Sequence, residues 1–497
     1  MNVSVSSDRP SWRVGGFLLL AAAVLACLSA LLINGGPLYY FDTGSYIRQG
    51  NVALNSLLPT ISEGGGAGGG GAADQDNTAT GSRSLIYGIV MAIFFRAGAL
   101  IAVPIFHLAG IFLVVWLLAR TTNRSLEESH STSLLTSVPL LAAALSSLPF
   151  YIAYMMPDIF APVLLIVIAA LTAVGRTMRG WELFVMSGLA VFSVVSHPSH
   201  LAIAGLMVPF VILAALFMKA RGRWRAVILL VIVLAVAVAE RKAFQIAVET
   251  KTNKEVVYTP HITARLIVDG PGMDYLNDAC PDANVPTCAL HEALSWSDDP
   301  YRMTVSHIIF ERSPKLGSFR LMSAEDQKKV ARSQRDFAQA VFLSRPIATS
   351  WALAKNGYRQ ILRDSVWMTI PTEQALDNAR HLARLDDSQL HLIQGGRLSK
   401  YRGWLTPVNA LHGFVYAVSF AIIVVLLLTP RSVPRDVKLF ALFILIGIAV
   451  NALVCGGVSQ PADRYGARVM WLLPFTAAFL LVIKWPAVPR VATKGDL

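Results

Sequence analysis

Residues 158–175 read DIFAPVLLIVIAALTAVG, and this stretch decides the fold class. Asp158 is the one charged residue among these eighteen. A helix needs about 20 mostly apolar residues to cross the roughly 30 Å hydrocarbon core of a bilayer. The stretch is close to that length, so it predicts a transmembrane helix with an acidic residue at its start.

The whole chain shares this apolar character. Of its 497 residues, 54% are hydrophobic and 15% are charged, whereas soluble domains have about 45–50% apolar and about 25% charged residues. This composition excludes a water-soluble globular protein, a collagen, a disordered chain and a small disulfide scaffold. The net charge of +12 is typical of a membrane protein with basic cytoplasmic loops, so no nucleic acid is expected as a partner.

Nine further stretches have a similar length and hydropathy. The ten predicted spans lie near residues 14–34, 104–120, 132–148, 158–175, 182–196, 199–218, 226–246, 407–429, 438–456 and 466–484. The first span is long and is followed by others, so we expect a retained anchor rather than a cleaved signal peptide.

Short connections rich in Lys and Arg set the expected orientation. They lie at Arg120–Arg124, Arg176–Arg179, Lys219–Arg225 and Arg431–Lys438, and the C-terminal tail is also basic. The positive-inside rule places such connections in the cytoplasm. This scheme is consistent only if the apolar segment 85–100 does not cross the membrane. We therefore expect that segment to be juxtamembrane or re-entrant on the outer side.

The predicted fold is an all-α polytopic membrane protein with about ten transmembrane helices, outer juxtamembrane helices and a mainly helical extracytoplasmic domain. Residues 1–246 form the N-terminal transmembrane module, whose first outer loop is 35–103. Residues 247–406 form the extracytoplasmic domain, and residues 407–497 form the C-terminal transmembrane helices. The apolar periodicity of the second half of the extracytoplasmic domain indicates helices rather than strands.

Two features of the outer regions leave alternatives open. The glycine-rich run at residues 64–71 is either a disordered connector or a mobile flap that orders over bound substrate. Cys280 and Cys288 lie in a loop rich in Pro and Asp. In an oxidising compartment we expect them to form a disulfide bond, with metal binding by the two thiols as the weaker alternative.

Ionisable side chains lie at the predicted outer ends of several spans, where they cost free energy and tend to be functional. They are Asp42, Asp158, His197, His200, Arg241, Arg464 and Arg468. Plainer interpretations exist: acidic helix caps or first-turn acids, interfacial histidines, and arginines that reach lipid headgroups. Because the orientation comes from other residues, the shared side of these groups favours a common site.

The residue types in this group suit one kind of chemistry. Arg464 and Arg468 are four residues apart and share a helix face, and guanidinium groups at a helix N-terminus bind anions. His197 and His200 are candidate ligands of a phosphate or a metal. A carboxylate beside such a site can accept the proton of an acceptor hydroxyl while the cations stabilise a leaving phosphate. This predicts transfer from a lipid-linked phosphate donor.

Four motifs, in this order, resemble the GT-C superfamily of polytopic glycosyltransferases, which use polyprenyl-phosphate-linked sugars. They are FDTGSY at 41–46, SRSLIY at 82–87, MPDIF at 156–160, and DRY at 463–465 followed by Pro474. The resemblance implies an inverting transfer with Asp42 as the catalytic base and Asp158 as a second catalytic acid residue. It also implies substrate contacts from Tyr46, Arg83, Tyr87 and Tyr465, besides the histidines and arginines named above.

The resemblance further implies partners and a location. The donor is expected to be a polyprenyl-phosphate-linked sugar, the acceptor an envelope glycan, lipid or protein, and the surroundings membrane lipids. Some members of the superfamily use a divalent metal, but the sequence offers no clear ligand set, so no cofactor is assigned and a divalent metal stays open. The expected location is a bacterial inner membrane, with the active site facing the periplasm.

Two other functions compete with this interpretation. An envelope polysaccharide polymerase or O-antigen ligase is also polytopic, has a large outer loop, and would place the chemistry in that loop instead of at Asp42. A lipid or sugar transporter, or a flippase, would bind its lipid without transforming it. Transporters commonly show internal repeats and polar groups at mid-membrane, neither of which the sequence shows.

Overall fold

The computed structural model describes residues 11–57, 78–80, 83–126, 130–218, 222–252, 255–281 and 284–485. The glycine-rich run at 64–71 and the tail with its basic residues at 490 and 494 lie outside this part of the chain. The described residues are almost entirely helical, so the protein is an all-α polytopic membrane protein.

The N-terminal transmembrane part contains eleven described helices. They are α1 (Ser11–Cys27), α2 (Ser29–Asn34), α3 (Thr43–Leu57), α4 (Leu85–Arg96), α5 (Ala102–Ser125), α6 (Thr132–Ala144), α7 (Leu148–Ala153), α8 (Phe160–Val174), α9 (Gly180–Ser196), α10 (Pro198–Phe217) and α11 (Arg225–Thr252). A short 3₁₀ turn, Pro157–Ile159, leads directly into α8.

Eight described helices follow in the region predicted to be extracytoplasmic, and four more return to the membrane. The first set is α12 (His261–Val268), α13 (Pro271–Ala279), α14 (Cys288–Leu294), α15 (Val305–Phe310), α16 (Ala324–Ser344), α17 (Pro346–Ile361), α18 (Glu373–Ala383) and α19 (Arg397–Lys400). The second set is α20 (Leu405–Leu428), α21 (Arg435–Val454), α22 (Asp463–Met470) and α23 (Leu472–Lys484). A π turn, Cys455–Ser459, extends α21.

Six helical stretches in the described residues are long and apolar enough to cross a membrane. They are Ala102–Ser125, Pro157–Thr177, Pro198–Phe217, Leu405–Leu428, Arg435–Ser459 and Asp463–Lys484, and each coincides with a predicted span. The other four predicted spans are helices that are shorter, broken or charged at one end. For example, α6 ends at Ala144, and Pro149 occupies the first turn of the separate helix α7, a position where proline is tolerated.

The quoted stretch at 158–175 is the central helix of the bundle. All residues of the apolar window in Pro157–Thr177 are buried inside the protein. A helix that is apolar on every side is stable when other helices surround it. By contrast, α4 has twelve residues and is about 18 Å long at 1.5 Å per residue, which is too short to cross a bilayer.

The predicted cytoplasmic connections meet at one end of the bundle. Arg176 Nη2 donates to Asp436 Oδ2 at 2.6 Å, and Arg225 Nη1 donates to the Arg176 carbonyl at 3.4 Å. Arg124 forms an ion pair with the buried Glu182, at the start of α9. The basic connections therefore share one end, as the charge pattern predicts. We call the opposite end the outer end, after the predicted orientation.

The 247–406 region divides into two parts. Residues 261–344, which we call the outer subdomain, have a hydrophobic core of their own that includes Leu266, Ile308 and Phe337. A disulfide bond joins Cys280 and Cys288 within it. The later segment 366–398 packs its apolar side chains into the core of the transmembrane helices instead. The region predicted as one domain is thus a subdomain followed by a segment that belongs to the transmembrane body.

The segment 366–398 covers the first outer loop. Asn378 Nδ2 donates to the Phe41 carbonyl at 3.0 Å, and the Tyr39 hydroxyl donates to the Leu392 carbonyl at 2.7 Å. Gly44 permits this contact, since a Cβ at that position would lie 2.0 Å from the Ala379 carbonyl oxygen. The outer loop is therefore held between the transmembrane helices and α18.

Two described strands of three residues also tie the outer loop to the 247–406 region. β1 (Thr78–Thr80) pairs in parallel with β2 (Glu255–Val257). Helices α3 and α4 cross closely beside this loop, and a Cβ at Gly50 would lie 1.9 Å from the Gly88 carbonyl oxygen. They form the pair of outer juxtamembrane helices that the sequence predicts.

Candidate active site

A short backbone pairing fixes the position of the first outer loop. The Leu38 amide donates to the Ala153 carbonyl at 2.8 Å, and the Met155 amide donates to the Leu38 carbonyl at 2.8 Å. Thr43 Oγ1 adds a hydrogen bond to the Met155 carbonyl at 3.3 Å. The loop that carries Asp42 therefore runs beside the turn that carries Asp158.

Asp158 and Arg464 form a buried ion pair between α8 and α22. Arg464 Nε lies 3.0 and 3.1 Å from the two carboxylate oxygens of Asp158, and Arg464 Nη2 lies 2.8 Å from Oδ2. The Asp158 side chain is completely buried, and that of Arg464 is 6% exposed. Paired hydrogen bonds of this kind fix the orientation of a guanidinium group, so Asp158 determines which edge of Arg464 is left for other partners.

Arg468 lies behind this pair and is completely buried. Its Nη1 lies 3.4 Å from Asp158 Oδ1. Its Nη2 donates to Asn451 Oδ1 at 2.8 Å and contacts Ser199 Oγ at 3.2 Å and Cys455 Sγ at 3.1 Å. All three nitrogens of its guanidinium group therefore have protein partners, which leaves no exposed donor for a substrate.

Asp42 is the partly exposed carboxylate of the site. One oxygen, Oδ1, pairs with Arg83 Nη2, and the other, Oδ2, lies 3.9 Å from Arg464 Nη1. The side chains of Asp42 and Arg83 are each 33% exposed. Burial disfavours the charge on Arg83, but the Asp42 carboxylate and Tyr46 together oppose that effect, and the pKa of the guanidinium is raised. Asp42 thus sits between two guanidinium groups, and Oδ2 is the oxygen that a substrate hydroxyl can approach.

Aromatic rings complete the surroundings of Arg464. Its guanidinium carbon lies 4.9 Å from the ring centre of Tyr40 and 5.4 Å from that of Tyr465. Cations over aromatic faces are attracted by the ring quadrupole, by about 0.5–2 kcal/mol. Burial raises the pKa of the Tyr40 phenol, and the neighbouring Arg464 partly opposes that rise. These rings stabilise the guanidinium without neutralising its charge.

The charges of the site do not balance. Among the residues that the structure describes, three guanidinium groups, those of Arg83, Arg464 and Arg468, face two carboxylates, those of Asp42 and Asp158. Three positive and two negative charges leave one positive charge in excess. An uncompensated charge away from water is costly, so the arrangement favours a bound anion next to Arg464 and Arg83.

Other predicted site residues lie close to this cluster but are not open to it. Tyr87 is completely buried, with its hydroxyl 3.2 Å from His107 Nε2. Tyr46 is buried against the Tyr87 ring at 5.3 Å between centres, and burial raises the pKa of its phenol. These two tyrosines pack α3 against α4, so the structure places them as supports of the outer loop rather than as groups that face a substrate.

The two histidines of the SHPSH sequence lie together at the start of α10. Their ring centres are 5.2 Å apart. His197 Nδ1 accepts a hydrogen bond from the Ser199 amide at 3.2 Å and caps the helix. His200 is completely buried, and its Nδ1 lies 2.7 Å from the Ser193 carbonyl. His197 therefore has a structural role as the cap of α10.

Arg241 is the predicted residue that the structure does not bring to the cluster. It lies in the outer half of α11, near Glu240 and Tyr258. In the described part of the chain, no hydrogen bond or ion pair joins it to Asp42, Asp158 or Arg464. We therefore leave it out of the candidate site.

The structure adds residues that the sequence did not single out. Tyr40, Tyr151, Ser199, Asn451 and Cys455 contact Arg464 or Arg468, and the Tyr151 hydroxyl donates to the Arg464 carbonyl at 2.6 Å. A polar Asn such as Asn451 within an apolar span is a signal that sequence reading can use. The others follow from the packing of distant spans, and nothing in the sequence marks them.

No metal centre is evident among the residues that the structure describes. Within them, no three side chains of His, Cys, Asp or Glu come together to hold an ion.

Comparison with known proteins gives limited information. No protein-family model and no curated protein matches the sequence. Among solved structures, the chain is similar to ArnT from Cupriavidus metallidurans in the apo state, with 13% sequence identity over 91% of this chain and 79% of that chain, and a TM-score of 0.32. At this identity and TM-score, the likeness assigns neither an activity nor a residue to this chain.

Proposed function

We propose that this protein is an integral-membrane glycosyltransferase of the GT-C type, which moves a sugar from a polyprenyl-phosphate donor to an envelope glycan, lipid or protein acceptor. The observation that carries the proposal is the 3.9 Å separation of Asp42 Oδ2 and Arg464 Nη1. A candidate base and a candidate phosphate ligand thus lie side by side at the outer end of the spans, which is the bacterial periplasmic face in the predicted orientation.

Asp42 is the proposed general base. Its Oδ1 pairs with Arg83, and its side chain is one-third exposed, so we assign Oδ2 as the oxygen that an acceptor hydroxyl reaches. The carboxylate takes the proton of that hydroxyl as the oxygen attacks the anomeric carbon of the donor. The bond from that carbon to the phosphate oxygen breaks, and the phosphate leaves with the electron pair. Attack from the side opposite the phosphate inverts the anomeric configuration.

Arg464 and Arg83 are the proposed phosphate ligands. Arg464 Nη1 is the one nitrogen of that guanidinium that is not bonded to Asp158. The excess positive charge of the site interacts more favourably with the leaving phosphate as negative charge develops on it. Fixed donors lower the free energy of a transition state in this way. The rings of Tyr40 and Tyr465 pack against the Arg464 guanidinium group without neutralising its positive charge.

Asp158 has a different role in this proposal from the catalytic one that the resemblance implies. It is completely buried and bonded to Arg464 and Arg468, so no substrate atom can reach its oxygens. We assign it as the residue that positions Arg464. Arg468 is assigned in the same way, since its nitrogens are occupied by Asp158, Asn451, Ser199 and Cys455.

Replacement of Asp42 by Asn tests the proposal. The purified protein in lipid nanodiscs is supplied with polyprenyl-phosphate-linked sugars and an extract of envelope acceptors, and the release of polyprenyl phosphate is measured. General-base catalysis contributes roughly 10²–10⁴-fold, so we expect turnover to fall by about that factor while donor binding persists. Asp278→Asn is the matched control, since Asp278 is an exposed partner of Arg345 in the outer subdomain.

Three outcomes separate the competing functions. Loss of turnover in the Asp42 variant alone supports the glycosyltransferase mechanism. Turnover that survives this change refutes Asp42 as the base and favours a polymerase or ligase whose chemistry lies in the large outer loop. Movement of the intact donor across the bilayer without release of polyprenyl phosphate identifies a transporter.

A further inference from the structure

The exposed face of α17 is apolar, which is unusual for a helix outside the transmembrane spans. Ile347, Trp351 and Tyr358 are 85%, 69% and 65% exposed, and Ile361 is 40% exposed. In a soluble domain the exposed face of a helix is polar. Large exposed apolar surfaces of this kind mark sites that bind a protein, a ligand or a membrane.

The apolar residues of α17 form a single stripe. They follow each other at intervals of four, seven and three residues, which places them on one side of the helix. The opposite side is buried and carries Thr349, Ala352, Asn356 and Gln360. One face of the helix therefore packs against the protein, and the opposite face is apolar and exposed.

The position of α17 shows what the uncovered face meets. A Cβ at Gly357 would lie 3.5 Å from the Leu453 Cα, so the helix packs against the outer end of α21. Leu453 is itself 41% exposed, and Val458 in the adjoining turn is 37% exposed. Exposed apolar residues of a transmembrane helix face lipid. The apolar face of α17 is therefore continuous with the lipid-facing surface of the bundle.

The charges along α17 favour an anionic surface. Residues 337–363 contain four basic residues and no acidic residue. Lys355 and Arg359 are exposed and lie at one edge of the apolar stripe. In the described residues, neither forms an ion pair. Amphipathic helices with basic residues beside Trp and aliphatic side chains lie in the plane of a membrane interface, with the apolar face about 5–10 Å into the headgroup boundary.

We propose that α17 is an interfacial helix that inserts its apolar face into the outer leaflet and binds anionic phospholipid headgroups through Lys355 and Arg359. This goes beyond sugar transfer and does not depend on it. The helix is connected to the candidate site, because Gln360 Nε2 donates to the Ala462 carbonyl and the Ala462 amide donates to Gln360 Oε1, both at 2.9 Å. Ala462 directly precedes the helix that carries Arg464.

Site-directed fluorescence quenching in lipid nanodiscs tests the insertion. Ile347→Cys and Tyr358→Cys variants of the full chain are labelled with a small fluorophore and compared in nanodiscs with and without brominated acyl chains. The matched control is Glu325→Cys, at an exposed position in the first turn of α16, the helix of the outer subdomain that precedes α17. The unsubstituted chain measures background labelling of the buried Cys27 and Cys455.

We expect bromolipid quenching several-fold stronger at positions 347 and 358 than at 325. Phosphatidylglycerol in the nanodiscs should increase that quenching, and a Lys355→Gln, Arg359→Gln double substitution should remove the increase. Equal quenching at all three positions overturns the insertion. Energy transfer between labels at position 347 on two copies, without bromolipid quenching, assigns the face to a second copy of this chain and also overturns the proposal.

Discussion

Replacement of Asp158 by Asn is the sharpest test of the site's construction. The substitution keeps the size of the side chain but removes its charge, and it leaves two buried guanidinium groups facing a neutral amide. Asp158 accepts contacts of 2.8–3.1 Å from Arg464 and one of 3.4 Å from Arg468, and it is completely buried. Loss of one partner from a buried ion pair costs about 3–5 kcal/mol, which is the expected fall in the free energy of unfolding.

The measurement compares unfolding of the two proteins by SDS in mixed micelles. Asp436→Asn is the control, since Asp436 also forms a two-pronged pair with an arginine, Arg176, at 2.6 and 3.0 Å. That pair lies at the other end of the bundle, with side chains 20% and 32% exposed, and exposed pairs contribute about 0–1 kcal/mol. If Asp158→Asn destabilises the protein no more than Asp436→Asn does, the buried pair does not hold the site together. Donor affinity should also fall in the Asp158 variant, because Arg464 loses its anchor.

Three further predictions concern the phosphate ligand, the juxtamembrane helices and the orientation. Arg464→Lys keeps the charge but loses the fork of donors, so donor binding in equilibrium titrations should weaken about 10- to 100-fold, as expected for a lost charged hydrogen bond of about 1.5–3 kcal/mol. Gly50→Ala places a Cβ 1.9 Å from the Gly88 carbonyl oxygen and should cost about 3 kcal/mol of unfolding free energy, the upper end of overpacking costs. A cysteine in place of Trp224 should react with a membrane-impermeant thiol reagent only after the membrane is opened, because the positive-inside rule places the basic connection that contains it in the cytoplasm.

Each of these has a matched control. Arg345→Ala, in the outer subdomain, should leave donor binding unchanged; equal weakening by both arginine variants would refute a specific role for Arg464. Gly188→Ala should not destabilise the protein, because a Cβ there has no atom within 4 Å, and similar effects at Gly50 and Gly188 would contradict the packing argument. Labelling of the Trp224 variant from outside would reverse the orientation and place the candidate site in the cytoplasm.

The sequence predicted the general layout of the molecule well, because hydropathy and charge act over whole segments. All six of the stretches that are long enough to cross a membrane coincide with predicted spans. The spacing of Arg464 and Arg468 correctly placed both on one helix face, and both contact Asp158. Length, apolar content and helical period are local properties, so they can be read without knowledge of the fold.

The availability of each side chain could not be predicted in the same way. Arg468 is enclosed because Asn451 and Cys455 belong to a neighbouring span, and Tyr87 is enclosed because His107 lies across from its hydroxyl. Both residues have functional groups that can bind a substrate. Their buried surroundings, however, give them a structural role. Such surroundings depend on which spans are neighbours, and that information is spread over the whole chain.

The division of the 247–406 region shows the same limit. Its helices were predicted from periodicity, but periodicity does not say what each apolar face packs against. The faces that include Leu266 and Phe337 form a separate core, while Leu376 and Ile393 complete the core of the membrane helices. A boundary of that kind depends on contacts between distant segments rather than on local composition.

The buried ion pair also has a consequence for biosynthesis. Asp158 and Arg464 are 306 residues apart in the chain. At a synthesis rate of about 5–20 residues per second, the helix that carries Asp158 emerges roughly 15–60 s before its partner arginines exist. During that interval the carboxylate lacks both of its counter-charges, so the nascent chain passes through a long stage that chaperones and membrane proteases can recognise as unfinished. Synthesis of α22 supplies both arginines and ends that stage.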